Sequence, residues 1–484
     1  VALENELYFF RKMKKKGRSI SFNFSNDNSR NESANQDISS TVLFKDAGNE
    51  TISRNLIENN DDRSDRYSTS LTYSEPITDS LTFSVGSRFS TNKSIDEQVT
   101  FNFDVSNNSY SAKNDSLSNF ITSRTNRIIP FIGLSIRKKN YSGRINIETN
   151  IIRFENFSNY LNENTNLNKD YVLPNVNGYI NYRFTKSKSM YVNYNYSVNL
   201  PTANQILPVI NISNPLNTIT GNPALKPTKR NSFYLGFNNY DYPTRSGFYL
   251  YSGGSILNNQ IVSSTVFDDS AKRTTTFENT GITYDGYLGL SLDKSIKVEQ
   301  HTFKYSLGFN TNFGLSKGLT NNQAYEAQEI TLNPSLELSW EYGELLTVTP
   351  SYSYNFNETQ FKNYSIDQTS NFVHNFKLET TSYWPKHFVF GNDFGYTYNS
   401  NIADGFQKDF YLWNMSLGYN FFGDKLLAKV KVYDLLDQNV NATRTITPTA
   451  IQDIENTVLR RYAMFSLTYK IEKFGGKKKN SWNE

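Results

Sequence analysis

Alternation with a period of two runs through most of the chain. In KSMYVNYNYSVN (188 to 199), Met190, Val192, Tyr194, Tyr196 and Val198 fall on one face of an extended strand. Asn193, Asn195, Ser197 and Asn199 fall on the other. TFKYSLGFNTNFGL (302 to 315) sets Phe303, Tyr305, Leu307, Phe309, Phe313 and Leu315 against Lys304, Ser306, Gly308, Asn310, Asn312 and Gly314. Nineteen strand-like stretches begin near residues 3, 18, 66, 80, 128, 142, 173, 189, 229, 245, 283, 302, 328, 345, 370, 387, 408, 426 and 459. Several exceed the usual five or six residues of a soluble strand, and they suit the ~9 to 11 tilted residues that cross a bilayer.

Alternation alone leaves open which face is wet. A soluble sandwich turns its apolar set inward, whereas a membrane barrel turns the same set outward to lipid. The connections discriminate. Short ones such as KKKG, EPITD, TKSK, YGE and FGDK alternate with long ones at 27 to 65, 200 to 228, 257 to 282 and 436 to 458. That asymmetry belongs to an outer-membrane barrel with short periplasmic turns and long extracellular loops. No fixed repeat period of the propeller or solenoid kind is present. The expectation is therefore an all-β, antiparallel transmembrane barrel in the bacterial outer membrane. Its Tyr and Val stripe meets lipid, and its Asn, Ser, Thr and Gly face meets an aqueous lumen. Pro130, Pro334 and Pro350 each remove a ladder donor inside a strand, where bulges or strand ends are expected. With nineteen strands the first and last run the same way, so an odd number of strands is expected to be missing.

Composition narrows the classes. The 484 residues are 37% hydrophobic yet 15% aromatic, with 33 Tyr and 35 Phe. A mean hydropathy of −0.60 excludes a bundle of membrane helices. Cysteine is absent, which excludes disulfides, thiolate nucleophiles and zinc-thiolate sites. Fifty basic against 46 acidic residues give +4, scattered without a nucleic-acid footprint. The basic runs KMKKKGR (12 to 18) and GGKKKN (475 to 480) read first as a solvated turn and tail, and second as contacts to anionic head groups. Only His301, His374 and His387 exist, none with a neighbour at metal-ligand spacing. No GxSxG, HExxH or phosphate-cradling loop is present. The pairs Asp61 with Asp62 and Asp268 with Asp269 read as hydrated loop charge before they read as calcium ligands. No catalytic, cofactor-binding or metal residue is therefore expected, and the chain is not read as an enzyme. VALENELYFF carries no signal peptide and already reads as strand, so a trimmed or partial chain is expected.

The segment LPTANQILPVINISNPLNTITGNPALKP (200 to 227) bears Asn214, Pro215, Gly221, Asn222, Pro223, Leu225 and Pro227 in the order NP…GNPxLKP before an aromatic strand. This resembles the C-terminal barrels of TonB-dependent outer-membrane receptors. KVYDLLDQNVNATR (431 to 444) and RRYAMFSLTYKIEKFGG (460 to 476) are similar to the final hairpin and closing strand of the Bacteroidota outer-membrane β-barrel family. Tyr433, Asp434, Leu435, Leu436, Asn439, Arg461, Tyr462 and Tyr469 carry that likeness. Ala463, Phe465, Leu467, Tyr469 and Ile471 form its outward stripe, with Tyr469 or Phe474 as terminal aromatic signal. The resemblance implies 22 strands in all, so the nineteen are strands four to twenty-two. It also implies a missing N-terminal plug, a barrel over 1–476 and a polar tail over 477–484. Uptake of a nutrient such as a glycan, peptide or metal chelate is its functional expectation, with TonB engaged through the missing region. The alternative is a structural or assembly subunit in a larger envelope complex, with lipoprotein or other partners. Outer-membrane lipid and lipopolysaccharide are expected around either; a soluble adhesin or fibre would have shorter, symmetric loops.

Overall fold

The computed structural model describes residues 2–471 except 45–47, 271, 365, 403, 404, 406, 424, 440, 448 and 449; the side chains of 441–443, 445–447, 450 and 451 also lie outside it. Nineteen strands follow one another around a single antiparallel wall. They are β1 Ala2–Lys12, β2 Ser19–Leu43, β3 Glu50–Pro76, β4 Leu81–Asp104, β5 Asn119–Arg137, β6 Tyr141–Tyr160, β7 Glu163–Arg183, β8 Lys188–Asn199, β9 Thr228–Asp241 and β10 Ser246–Asn258. The wall continues with β11 Thr283–Val298, β12 His301–Thr320, β13 Gln323–Tyr342, β14 Leu346–Lys362, β15 Gln368–Ser382, β16 Phe388–Asn399, β17 Asp409–Phe421, β18 Leu426–Tyr433 and β19 Tyr462–Tyr469. Seven further short strands lie within the connections. Each expected strand has its counterpart in the wall. The ladder runs from β1, which pairs with β2, to β19, which pairs with β18. Both outer strands run toward the short turns, and among the described residues they do not pair with each other.

Every inserted element sits at one end. The nine connections at the opposite end are short, from the two residues between β11 and β12 to the six between β1 and β2. The long end holds the hairpins Ile210–Asn214/Asn217–Thr220, Ile261–Phe267/Arg273–Asn279 and Asn441–Thr447/Ala450–Asn456, and the helix α1 Ala203–Ile206.

The strand phase is as expected. On β4, Phe83, Val85 and Phe89 point outward and stay exposed, while Ser84, Gly86, Asn92 and Ser94 turn to the lumen. Following the register sideways, the apolar band ends at Phe24, Tyr67, Phe89, Ile128 and Ile151. One or two pleats higher the outward residues are Asn26, Asp65, Lys93, Asn126 and Arg153. The band on β4 thus covers about 10 residues, enough for a tilted crossing of the hydrocarbon. Lumenal amides bridge neighbouring strands, as where Asn146 Nδ2 donates to Asn177 Oδ1 at 3.0 Å and Asn357 Nδ2 to Asn371 Oδ1 at 3.2 Å.

Two expectations need correction. Residues 27 to 65 are not a loop: β2 and β3 stay paired from Ser19↔Ser74 up to Leu43↔Glu50. Above the lipid both faces are wet, so alternation disappears while the backbone ladder continues. The prolines need neither bulge nor strand end. Pro334 pairs with Phe309 on one side, and on the other the β13–β14 ladder skips from Leu332↔Phe356 to Ser335↔Ser353 in unchanged register. Pro130 and Pro350 likewise lie in one-sided gaps of the ladders β5–β6 and β13–β14. A local gap is the smaller disturbance, because a bulge would swap the lipid and lumen faces of the whole strand.

Candidate functional site: the lumenal mouth

The segment after β8 turns inward at Leu200 and Pro201 and forms the single turn α1. Its start is fixed by Gln205, whose Oε1 accepts from the Thr202 backbone N–H at 3.0 Å. Ile206 is fully buried and Leu207 nearly so. Ile206 packs on the lumenal faces of Ile152 and Phe154 of β6, with Leu167, Tyr171, Leu173 and Leu200 around them. These are apolar residues in lumen phase above the membrane band, and they cover one another. The return of the chain is equally constrained. A Cβ at Gly221 would lie 2.1 Å from the Leu207 carbonyl oxygen, so only glycine fits.

Between this inserted loop and the wall β2–β8 lies a cavity of about 770 Å³. Its lining is dominated by amides and hydroxyls, among them Asn31, Asn92, Asn150, Asn175, Ser123 and Asn204, with Asp62, Asp96 and Arg127 as charges. The amide oxygens of Asn92 and Asn175 are buried and have no hydrogen-bond partner among the described residues. Asp62 and Asp96 are cross-strand partners on β3 and β4. Partial desolvation in the narrowed mouth, and then the like charge of Asp62, raise the Asp96 carboxyl above the ordinary carboxylate range. The site can hydrogen-bond a polar solute from several sides and can hold a proton between two carboxyls.

Asp61 and Asp62 are therefore not one acidic site. Successive residues of a strand face opposite ways, and Asp61 points outward, where Arg30 Nη2 meets it at 2.7 Å and Arg63 also binds it. Asp268 instead closes its own turn, accepting from the Ser270 and Lys272 backbone N–H groups at 2.9 Å. Among the described residues no three His, Cys, Asp or Glu side chains gather as a metal site.

The model of the outer membrane protein beta-barrel family matches residues 11–338 and 319–469. The chain belongs to this family. No curated protein matches it. Among solved structures it is similar to the ferric-catecholate import receptor Fiu of E. coli K12, with 14% identity, 97% of this chain and 64% of that chain covered, and a TM-score of 0.47. It is also similar to the copper transporter OprC (10% identity, 96% and 80% covered, TM-score 0.40) and to the siderophore receptor PirA of Pseudomonas aeruginosa (10% identity, 97% and 80% covered, TM-score 0.32). The chain spans just under two thirds of the length of the first of these.

Within this outer-membrane family member, the motif residues lie where loops are clamped. Asn214 caps the turn containing Pro215 by accepting from the Leu216 N–H at 2.8 Å. Asn222 binds the Phe277 carbonyl at 2.8 Å, and its own oxygen accepts from the Ala224 N–H at 2.9 Å. The Pro223 carbonyl accepts from Lys169 at 2.5 Å, Leu225 is buried, and Pro227 leads into β9. In the second motif Asp434 is buried at φ +49° and accepts from the Gln438 and Asn439 N–H groups, both at 3.0 Å. The Leu435 N–H donates to the Trp413 carbonyl at 2.8 Å, and Leu436 stays exposed. Tyr433 stacks on Tyr462 at 4.6 Å, Arg461 reaches Asp437 at 3.7 Å, and Tyr469 stands on the outward stripe with Phe465 and Leu467. Phe474 and the tail lie outside the described residues. None of the motif residues lines the cavity. The residues that do, Asp62, Asp96, Asn92 and Asn175, were identifiable only by carrying the strand phase upward from the apolar stripe.

Proposed function

We propose that this outer-membrane barrel is a receptor that takes up a nutrient through its lumen, a glycan, peptide or metal chelate. TonB supplies the energy through an N-terminal region that also carries the plug. The single observation behind this reading is the mouth. A loop folded into the lumen and anchored by Ile206 leaves a polar cavity of about 770 Å³ against the wall, above the membrane band. Its amides and hydroxyls, with the Asp62–Asp96 pair, offer a polar solute hydrogen bonds from several sides. No chemistry on the solute is invoked; the site binds and hands on. The same reading expects protein isolated from its native membrane to have a mass well above 55.7 kDa.

The test is growth of a deletion strain on media with a single limiting glycan, peptide or iron-chelate source. Loss on one class is expected. A strain carrying Asp62→Asn, Asp96→Asn and Asn175→Ala together should need about tenfold more of that nutrient, the equivalent of about 1.4 kcal/mol. A deletion strain that grows normally on all of them while losing other outer-membrane proteins would replace uptake by the assembly role.

A further inference from the structure

The lumenal face of β7 to β11 interrupts its own polar pattern with tyrosines. Tyr191 shares the face of Asn193, Asn195 and Ser197, across the wall from Met190 and Val192. The register sets it in a row Asn181, Tyr191, Gly236, Tyr251, Gly289 and Asn310. The row one pleat higher is Tyr179, Asn193, Tyr234, Gly253, Tyr287 and Asn312. Tyr179 stacks on Tyr191 with ring centroids 6.0 Å apart, Tyr191 stands 6.0 Å from Tyr234, and Tyr251 stands 6.2 Å from Tyr287. Glycine makes room for the rings: a Cβ at Gly253 would lie 2.5 Å from the Tyr287 hydroxyl, and one at Gly289 would overlap the Tyr251 ring. The tyrosines thus extend over β7 to β11, about 19 Å of wall at ~4.8 Å between strands.

Neither row holds a charge. The nearest lumenal charges stand at the borders. Arg144, beside Tyr179, donates to Asn146 Oδ1 at 2.9 Å, and Asp285, one pleat above Tyr287, meets Arg230 at 3.9 Å. Arg183 lies one pleat below Asn181. The Tyr251 hydroxyl donates to Asn310 Oδ1 at 2.5 Å, while those of Tyr179, Tyr191, Tyr234 and Tyr287 have no partner among the described residues. The strip also continues the mouth. On β7 Asn175 lines the cavity, and Asn177 and Tyr179 follow it down the same face; on β8 Ser197 lines it, and Asn195, Asn193 and Tyr191 follow. Tyr179 is thus ~13 Å of strand below Asn175. The outward positions beside the strip, Val192, Leu235, Leu250 and Leu288, are apolar, which puts it at membrane depth inside the lumen.

We propose that this strip binds a neutral oligosaccharide received from the mouth; the inference rests on the uptake reading and names its cargo. A pyranose presents a face of C–H groups rimmed by hydroxyls. The weakly positive C–H face suits the negative face of a tyrosine ring, and the hydroxyls can bond the bordering asparagine amides and the free tyrosine hydroxyls. A charged peptide or an anionic chelate finds no counter-charge in either row. The length of the strip accommodates several linked rings.

The test uses protein isolated from its native membrane in neutral detergent, titrated calorimetrically with maltohexaose, cellohexaose, mannohexaose and, for contrast, hexagalacturonate. At least one neutral sugar should bind, at least about tenfold more tightly than the acidic one. Tyr191→Ala with Tyr234→Ala should weaken that binding at least about tenfold. Tyr191→Phe with Tyr234→Phe, which keep the rings, should cost less, and Tyr194→Ala on the lipid face of the same strand should leave it unchanged. Should the alanine pair not fold, Tyr191→Ala alone carries the test with a smaller loss. Binding of none of the neutral sugars, equal binding of the acidic one, or binding that survives the alanine pair would overturn the assignment. Failure of the uptake reading shows separately. A deletion strain that loses growth only on a peptide or iron-chelate source keeps uptake and sinks the sugar strip, whereas normal growth on every source with sugar binding intact removes uptake and keeps the strip.

Discussion

The lower and upper halves of β2 to β6 are the same strands in two solvents. Below, the outward positions are Phe22, Phe24, Leu71, Phe83, Val85, Phe89, Ile132, Leu134, Ile145 and Ile147. Above, they become Arg30, Asp61, Arg63, Lys93, Arg124, Arg153 and Glu155 without any change of register. Backbone pairing is therefore indifferent to the medium, as it must be in a wall with every inner group bonded to a neighbour. Side chains record the medium instead. In the lower half lipid holds the wall by its outward stripe. In the upper half water gives no such hold, and the chain has to build contacts of its own: Arg30 and Arg63 clamp Asp61, and α1 plugs Ile206 into Ile152 and Phe154.

The upper half is consequently the region where one apolar truncation does the most damage. Ile206→Ala removes the fully buried centre of a small cluster and should cost ~2 to 5 kcal/mol of local stability. Limited proteolysis should then cut within residues 200 to 227 while the wall stays resistant. If the wall unfolded together with the loop, the two halves would be one cooperative unit and the contrast would fail.

The next largest effect belongs to the lower half. Leu307→Arg places a cation on the lipid stripe of β12 near mid-depth, at a cost of ~2 to 4 kcal/mol. Asn168→Arg, also outward but above the band and opposite Glu155, should change stability by less than ~0.5 kcal/mol. Urea titration of both variants in lipid vesicles measures the difference. Equal costs would mean that β7 lies in hydrocarbon at residue 168, which would move the membrane boundary.

The same contrast explains what the sequence reveals. All nineteen wall strands are legible because each has a stretch with lipid on one face and water on the other. Their upper ends are not legible: the strand beginning near 66 starts at Glu50, that near 128 at Asn119, and that near 173 at Glu163. With water on both sides, NESANQDISS and RNLIENNDDRSD have no period to detect. The site suffers from the same blindness. Asp61 and Asp62 are neighbours in sequence and strangers in space, and Asp62 meets Asp96 only through a register set 30 Å or so of strand below, at about 3.3 Å per residue. Gly221 and Asn222, by contrast, stand out because turn chemistry is local.

The smallest effect concerns protons. Asp96 has its carboxyl raised by desolvation and by Asp62, so the folded mouth holds a proton that the unfolded chain releases at an ordinary value near ~3.9. Between that value and the raised one the folded state binds more protons, and stability must fall as pH rises through the window. Above it the Asp96 carboxylate meets the like charge of Asp62. Asp61 slopes the other way: Arg30 and Arg63 hold its carboxyl well below the usual range, so its contribution is lost progressively as pH falls below the ordinary carboxylate value. Hydrogen-exchange protection of residues 200 to 207, corrected for intrinsic rates, should accordingly drop as pH rises above the ordinary carboxylate range. Asp96→Asn should flatten that drop and leave the lower half untouched. A drop of the same size in the variant would put its origin outside the carboxyl pair, and with it the claim that the upper half carries its own electrostatic balance.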